Sequence, residues 1–395
     1  MCFKNISGLL RLSFRKKLLA LDDTGEQEMY KVKILGAGSI GNHLAHGCSS
    51  KGWNVTICDL DPAALERTRN DIYPSRYGVW DDNIRLAAPE MVETEDFELV
   101  IVGTPPDTHM AIATKVLETR PPKVLLIEKP VCTPGLENAR ELVVLQEKTG
   151  CFVAVGYNHT LTSHSRRAAE LLAGGLVGQP LTISAGFREF WGGIFKAHPW
   201  LNGPQDSYLG FATRGGGAGG EHSHATNIWQ HFASLTGMGK IIEVSAMLDM
   251  VDDGLVNYDR LFQVNVKTEA GLVGSIIQDV VTEPPEKKLR IQGTTGFIEW
   301  QVNADSTHDV IHYAGEDNEI IEELFVKTRP DDFLGEIDHL GEILAGGSTE
   351  QSPIGLAEGL NTMLVVAAAH LSSQQQRSVR INYEAGYCPG ALELI

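Results

Sequence analysis

Short apolar runs recur through residues 29–158, and each stops abruptly at a cluster of polar or turn-forming residues. Residues 32–35, 54–58, 97–103, 124–127 and 152–158 are such runs. They are too short for buried helices and read as strands covered on both faces of a parallel sheet. Between them, residues 40–51, 110–118 and 138–149 carry apolar positions three and four apart, the spacing of amphipathic helices. Strand and helix alternating in this way predict a doubly wound α/β unit. Residues 73–82, rich in aromatics and turn formers, read only as a connection.

After Asn158 the pattern changes. A helix over 163–173 closes at Gly174-Gly175, and longer alternating segments follow at 181–187, 241–250, 261–267, 271–281, 288–292 and 297–301. Strands without intervening helices predict an open, mainly antiparallel sheet. Residues 191–231, dense in Gly, His and Trp, read as irregular; 333–346 and 356–373 read as helices. The expected organisation is an extension over 1–28, a nucleotide-binding α/β domain over 29–158, and a second α/β domain over 159–395 whose last helices pack back on the first.

Composition narrows the function classes. With 43% hydrophobic residues, the 395-residue chain has ample core for two domains. Lys+Arg of 33 against Asp+Glu of 51 gives a charge of -18, which disfavours nucleic acid and anionic membranes as partners. Cys2, Cys48, Cys58, Cys132, Cys151 and Cys388 form no C-x-x-C pair, as expected of reduced thiols in a cytoplasmic protein. No apolar run approaches the ~20 residues of a membrane helix. The basic, weakly amphipathic start lacks the apolar segment of a secretory signal, so 1–28 is expected to be a flexible or non-native extension.

The chemistry begins at Gly36-Ala37-Gly38-Ser39-Ile40-Gly41. This G-x-G-x-x-G follows a strand, opens a helix and precedes a second strand ending in Asp59, which is the context of a dinucleotide fingerprint. Gly36 permits the turn, Gly38 lets backbone approach a pyrophosphate, and Gly41 allows close packing of helix on strand. The helix start offers free N–H groups to the phosphates. Asp59 stands where an acid binds the adenosine ribose and would repel a 2′-phosphate, favouring NAD over NADP. Asp61 precedes Pro62 and reads as a helix N-cap instead. Thr104 and Pro105 end a third strand, with His109 just beyond as a ligand contact or packing element. The run 124–127 ends in Glu128-Lys129-Pro130, just past the strand's carboxyl end, where ligands bind in open α/β sheets, making Lys129 a candidate catalytic base.

Together with Gly156-Tyr157-Asn158, the glycine-rich 215–220 leading to His224 and Asn227, and the tail from Ser352-Pro353 to Val379, these residues resemble the glucose-fructose oxidoreductase / inositol dehydrogenase / MocA family over residues 29–383. The resemblance implies a Rossmann domain, a second domain whose open sheet covers the nicotinamide, and a dimer or tetramer built on that sheet. It implies that Lys129 relays a proton at a substrate hydroxyl, that Pro130 follows a cis peptide, that Glu128 lies near the nicotinamide or its ribose, and that Asn158 is a cofactor contact. Many members carry an aspartate four residues before the active-site histidine. Here that position is Gly220, and the nearest acid is Glu221.

The expected catalytic group is therefore Lys129, His224 and Glu221, with general acid–base help of about 10²–10⁴-fold. His198, Trp200, Tyr208 and His222 are candidate substrate contacts, and Arg188, Lys196 and Arg214 are possible anchors for an acidic substrate. A metal held by Glu221, His222, His224 and His231 is the alternative use of that cluster, but the spacing of a closed site is absent and none is expected. The expected activity is oxidation of a hydroxyl on a sugar, inositol or related polyol. Redox-assisted glycoside cleavage and a non-catalytic ligand sensor on the same fold are the competing readings.

Overall fold

The computed structural model describes residues 29–197, 201–328 and 331–395. The first domain is a six-stranded parallel sheet in the order β3-β2-β1-β4-β5-β6, with β1 Lys31–Leu35, β2 Asn54–Cys58, β3 Arg85–Ala87, β4 Leu99–Val102, β5 Val124–Ile127 and β6 Phe152–Val155. Every residue of β4 and β5 is buried, as the uninterrupted apolar runs require. The order reverses between β1 and β4, which opens a ligand crevice at their carboxyl ends.

Two features of this domain escape the sequence pattern. β3 is a three-residue edge strand, too short to carry a period. Residues 73–82, read as a connection, are partly helical: the helix Pro62–Arg67 runs through a π turn, Thr68–Ile72, into Tyr73–Tyr77. The aromatics there pack sideways, with Tyr77 stacked on His46 at 3.7 Å between centroids.

The second sheet has ten strands in the order β14-β13-β12-β11-β7-β10-β9-β8-β15-β16. They are β7 Pro180–Arg188, β8 Ile241–Asp252, β9 Asn257–Thr268, β10 Val273–Asp279, β11 Glu286–Gly293, β12 Phe297–Val302, β13 His308–Ala314, β14 Ile321–Val326, β15 Val379–Ile381 and β16 Leu392–Leu394. Only β7 and β10 pair in parallel; the other neighbours are antiparallel. The expected open, mainly antiparallel sheet is present, enlarged by β13 to β16.

The stretch 191–231 is not irregular throughout. It contains the helix Gly217–Glu221 and the start of the helix His224–Leu235. The apolar face of the longer helix, Ala225, Ile228, Trp229 and Phe232, lies on the sheet, and the Trp229 indole N–H donates to the Ile183 carbonyl at 2.9 Å. That spacing is helical, but glycine and histidine ahead of it obscure it.

The last two long helices join the domains. Asp331–Leu344 packs on Ser39–Ser50, where a Cβ on Gly47 would stand 3.1 Å from Ile337. Leu356–Gln375 lies between the sheets. Just ahead of it Ile354 accepts from Val155 N–H at 2.7 Å, and at its far end Ser372 accepts from Ala246 N–H at 3.0 Å. Among the described residues no helix is long and apolar enough to cross a membrane.

Candidate active site

The glycine fingerprint closes as its sterics demand. Gly36 has a φ of +110°, and a Cβ there would stand 2.6 Å from the Gly103 carbonyl oxygen. A Cβ on Gly41 would collide with the Gly36 carbonyl oxygen, whereas Gly38 has nothing within 4 Å on its open side. Gly36 and Gly38, with Asp59, Thr104 and Pro105, line a cavity of about 880 Å³. The Asp59 carboxylate faces it while accepting from Ala37 N–H at 2.8 Å and Asp61 N–H at 2.9 Å. Asp61 caps its helix by accepting from Ala63 N–H at 2.9 Å, as its position before Pro62 predicts. A bare glycine edge, a helix start and an acid at the second strand's end fit the adenosine diphosphate part of NAD.

Ser39 and Ile40 form the first turn of the following helix rather than the cavity wall. Arg76, from the segment read as a connection, donates to both the carbonyl and the hydroxyl of Ser39 at 2.8 and 2.7 Å. It brings a positive charge to the helix start, and no local motif announces it. His109 stands behind the cavity, fully buried, its ring nitrogens 3.0 Å from the Pro130 carbonyl and 2.6 Å from the Thr104 carbonyl. Burial pushes the imidazole down to about 4, so a neutral ring serves only one of the two carbonyls as donor.

At the end of β5 the Glu128 N–H donates to Val102 and the Gly156 N–H to Ile127, both at 2.9 Å, which fixes the strand's last residue between β4 and β6. Glu128 is buried against Gly156, where a Cβ would stand 2.9 Å from its carboxylate. Burial raises its pKa; nearby Lys129 opposes the shift and Glu221 adds to it. The Lys129–Pro130 peptide is cis, as the resemblance implies. Lys129 Nζ donates to the Glu221 carbonyl at 2.8 Å and lies 3.2 Å from its carboxylate. The Tyr208 hydroxyl makes a longer contact, 3.4 Å, to the same carboxylate. Burial, then the charge of Glu221, holds that phenol well above its ordinary pKa. Asn158 is buried in the turn that follows β6.

The glycine run ahead of His224 is pinned from beneath. Asp259 on β9 accepts from Gly219 N–H at 2.6 Å, and Gln278 on β10 donates to the Ala218 and Gly219 carbonyls at 2.9 and 3.2 Å. Burial lifts the Asp259 carboxyl to about 7, against the pull of its backbone hydrogen bonds. A side chain at Gly220 would collide with the Gly215 carbonyl oxygen. Position 220, where the family resemblance implies an aspartate, therefore has no room for one, and Glu221 is the acid that meets Lys129.

His222 and His224 flank this acid, joined by His159, whose ring centroid is 4.6 Å from that of His224. Desolvation pushes His222 down to about 4 and holds His159 and His224 well below the ordinary imidazole range. Nδ1 of His159 and His224 and Nε2 of His222 are buried without a hydrogen-bond partner among the described residues. His231 faces away, toward a separate cavity of about 290 Å³ shared with Arg166 and His339. Among the described residues no His, Cys, Asp and Glu cluster could hold a metal ion.

Of the possible anchors for an acidic substrate, Arg188 is paired with Asp279 at 2.7 Å and Arg214 with Asp107 at 2.6 Å, while Lys196 is exposed. His198 and Trp200 lie outside the described residues.

Residues 30–157 match the family model described as an oxidoreductase family with an NAD-binding Rossmann fold, GFO/IDH/MocA. Residues 165–299 match the C-terminal domain of the same family. The chain belongs to the GFO/IDH/MocA family. It is thus an NAD-binding oxidoreductase, and NAD is its cofactor. An uncharacterized oxidoreductase of Schizosaccharomyces pombe is 29% identical over 116 residues; this covers 29% of the chain and 30% of that relative.

Solved structures share the fold across nearly their whole length. An oxidoreductase from Agrobacterium radiobacter, in complex with NAD+, L-tartaric acid and magnesium, has a TM-score of 0.71 at 19% identity, covering 89% of this chain and 98% of its own. Aldose-aldose oxidoreductase from Caulobacter crescentus, complexed with glycerol, has 0.71 at 16%, covering 90% and 100%. Levoglucosan dehydrogenase, in complex with NADH and levoglucosan, has 0.71 at 17%, covering 89% and 99%.

Proposed function

We propose that this GFO/IDH/MocA member is a dehydrogenase that transfers a hydride between a carbinol carbon of a sugar, inositol or related polyol and NAD. The observation that carries the reading is the contact of Lys129 with Glu221 at the carboxyl end of β5, beside the nucleotide cavity. Bound NAD would supply the hydride acceptor. Gly36, Gly38 and Asp59 would hold its adenosine diphosphate, with Gly41 keeping the helix close against the turn, and Glu128 lies toward the inner end, 4.0 Å from where a Cβ on cavity-lining Gly103 would stand.

Lys129 exchanges the hydroxyl proton at Nζ. Glu221 holds that nitrogen through both its backbone and its carboxylate, and Tyr208 steadies the acid from the other side. His224, kept neutral by burial, is able to hydrogen-bond the same substrate oxygen. Relatives described as levoglucosan dehydrogenase and aldose-aldose oxidoreductase support a carbohydrate as substrate.

The test is a panel of sugars, inositols and uronic acids with NAD, followed by NADH absorbance, for wild type and Lys129→Ala. Wild type should reduce NAD with at least one polyol, and the variant should lose about 10²–10⁴-fold in kcat while still binding NADH. An inert wild type, or full activity in the variant, sinks the reading.

A further inference from the structure

The inward face of the second sheet is apolar along most of β7 and β11. Ile183, Ala185 and Phe187 of β7 point toward the helices, as do Leu289 and Ile291 of β11, and all are buried. Side chains alternate along a strand, so Glu189, one step beyond β7, and Lys287 of β11 continue these same inward rows. Lys287 stands directly opposite Phe187 in the antiparallel register, and residues so paired share a face. There Lys287 Nζ lies 2.8 Å from the Glu189 carboxylate, their side chains 20% and 31% exposed. A charge pair largely withdrawn from water at the end of an apolar face is costly and calls for a reason beyond stability.

Its neighbours supply the reason. Phe187, the cross-strand partner of Lys287, has its ring stacked on His224 at 6.3 Å and edge-on to His159 at 5.4 Å. The charges of both Lys129 and Lys287 bear on His159, His222 and His224. Each of these rings has a buried nitrogen with no hydrogen-bond partner among the described residues. Through Phe187 and His224 the Lys287–Glu189 pair is packed into the same layer as Glu221, the acid that holds Lys129.

We propose that Lys287 and Glu189 form a second polar subsite that binds the hydroxyls of the substrate remote from the carbon oxidised at Lys129. The assignment deepens the dehydrogenase reading and rests on it. An ammonium beside a carboxylate has no net charge. It suits a pair of neighbouring hydroxyls, one oxygen accepting from Lys287 and the other hydroxyl donating to Glu189. A substrate carboxylate or phosphate would meet Glu189 as a like charge. The subsite therefore selects a neutral polyhydroxylated ring over the corresponding acid.

Steady-state kinetics test this with wild type, Lys287→Met and the near-isosteric Glu189→Gln, on neutral aldoses and inositols and the matching uronic acids. Wild type should favour neutral substrates in kcat/KM. Each variant should raise the sugar KM by about 10- to 100-fold, as expected for loss of charged hydrogen bonds, with kcat changed far less and the KM for NAD unchanged. Glu189→Gln should also narrow the gap between neutral and acidic substrates, and it carries the test alone if Lys287→Met does not fold. A wild type that prefers uronic acids overturns the assignment, as does an unchanged sugar KM in Glu189→Gln. A wild type inert toward the whole panel overturns the dehydrogenase reading itself, and the subsite with it.

Discussion

Glu336 shows how much a single residue conceals from sequence. It lies on the helix Asp331–Leu344 at 1% exposure, and neither carboxylate oxygen has a hydrogen-bond partner among the described residues. Burial, then the charge of Glu128, raises its pKa well above the ordinary 4.5. The folded chain therefore holds this proton more tightly than the unfolded chain does. The stability linked to it is fully present below about 4.5 and is lost as pH rises toward the folded value. Glu336→Gln, which cannot ionise, should gain in Tm relative to wild type as pH is raised from about 5 to about 8. A Tm difference that stays flat over that range would show that the carboxyl is not held protonated. In the sequence Glu336 is an acid on an amphipathic helix, and nothing local marks it as buried. Lys129 was legible because the β5 run stops at it; Asp259, Gln278, Lys287 and Glu189 were not, since each is an ordinary residue on or just past a strand.

At the scale of elements, the pattern of apolar positions places β1, β2, β4, β5 and β6 and the helices between them, because a strand covered on both faces leaves a continuous apolar run. It misses the short strands β3, β15 and β16, the longer β13 and β14, the helix Tyr73–Tyr77, and the helix His224–Leu235, whose glycine-rich approach hides the start. The approach is itself a tightly made element. Gly217 has a φ of +75°, and its missing side chain is replaced by the Asp259 carboxylate. Gly220→Ala should cost about 1–3 kcal/mol through overpacking against the Gly215 carbonyl. It should also displace Glu221, so kcat should fall beyond what thermal shift accounts for. Comparing the activity and Tm of this variant with those of Gly193→Ala, where a Cβ meets nothing within 4 Å, separates the two effects. Equal behaviour of the two variants would show that the backbone at 220 has room to adjust.

For the whole molecule, the C-terminal helices decide whether the two sheets behave as one body. Leu356–Gln375 is buried along most of its length, and Gly359 lies so close to Val155 of β6 that a Cβ would stand 2.5 Å from its side chain. An apolar helix shared between two sheets ties their unfolding together. Calorimetry of the wild type should show one transition. Gly359→Ala should lower its temperature through about 1–3 kcal/mol of overpacking or split it into two. Two resolved transitions in the wild type would mean that the domains unfold independently. By itself the sequence determined what is local: the strand and helix periods, the glycine fingerprint with its acid, and the lysine at a strand end. These follow from sterics and side-chain spacing within a few residues. Only the tertiary structure decided that Lys129 meets Glu221 across 92 positions, that Gly220 leaves no room for an acid, and that Lys287 pairs with Glu189 beside Phe187. Register, crossover and burial set those meetings, and they belong to the packed chain rather than to any segment of it.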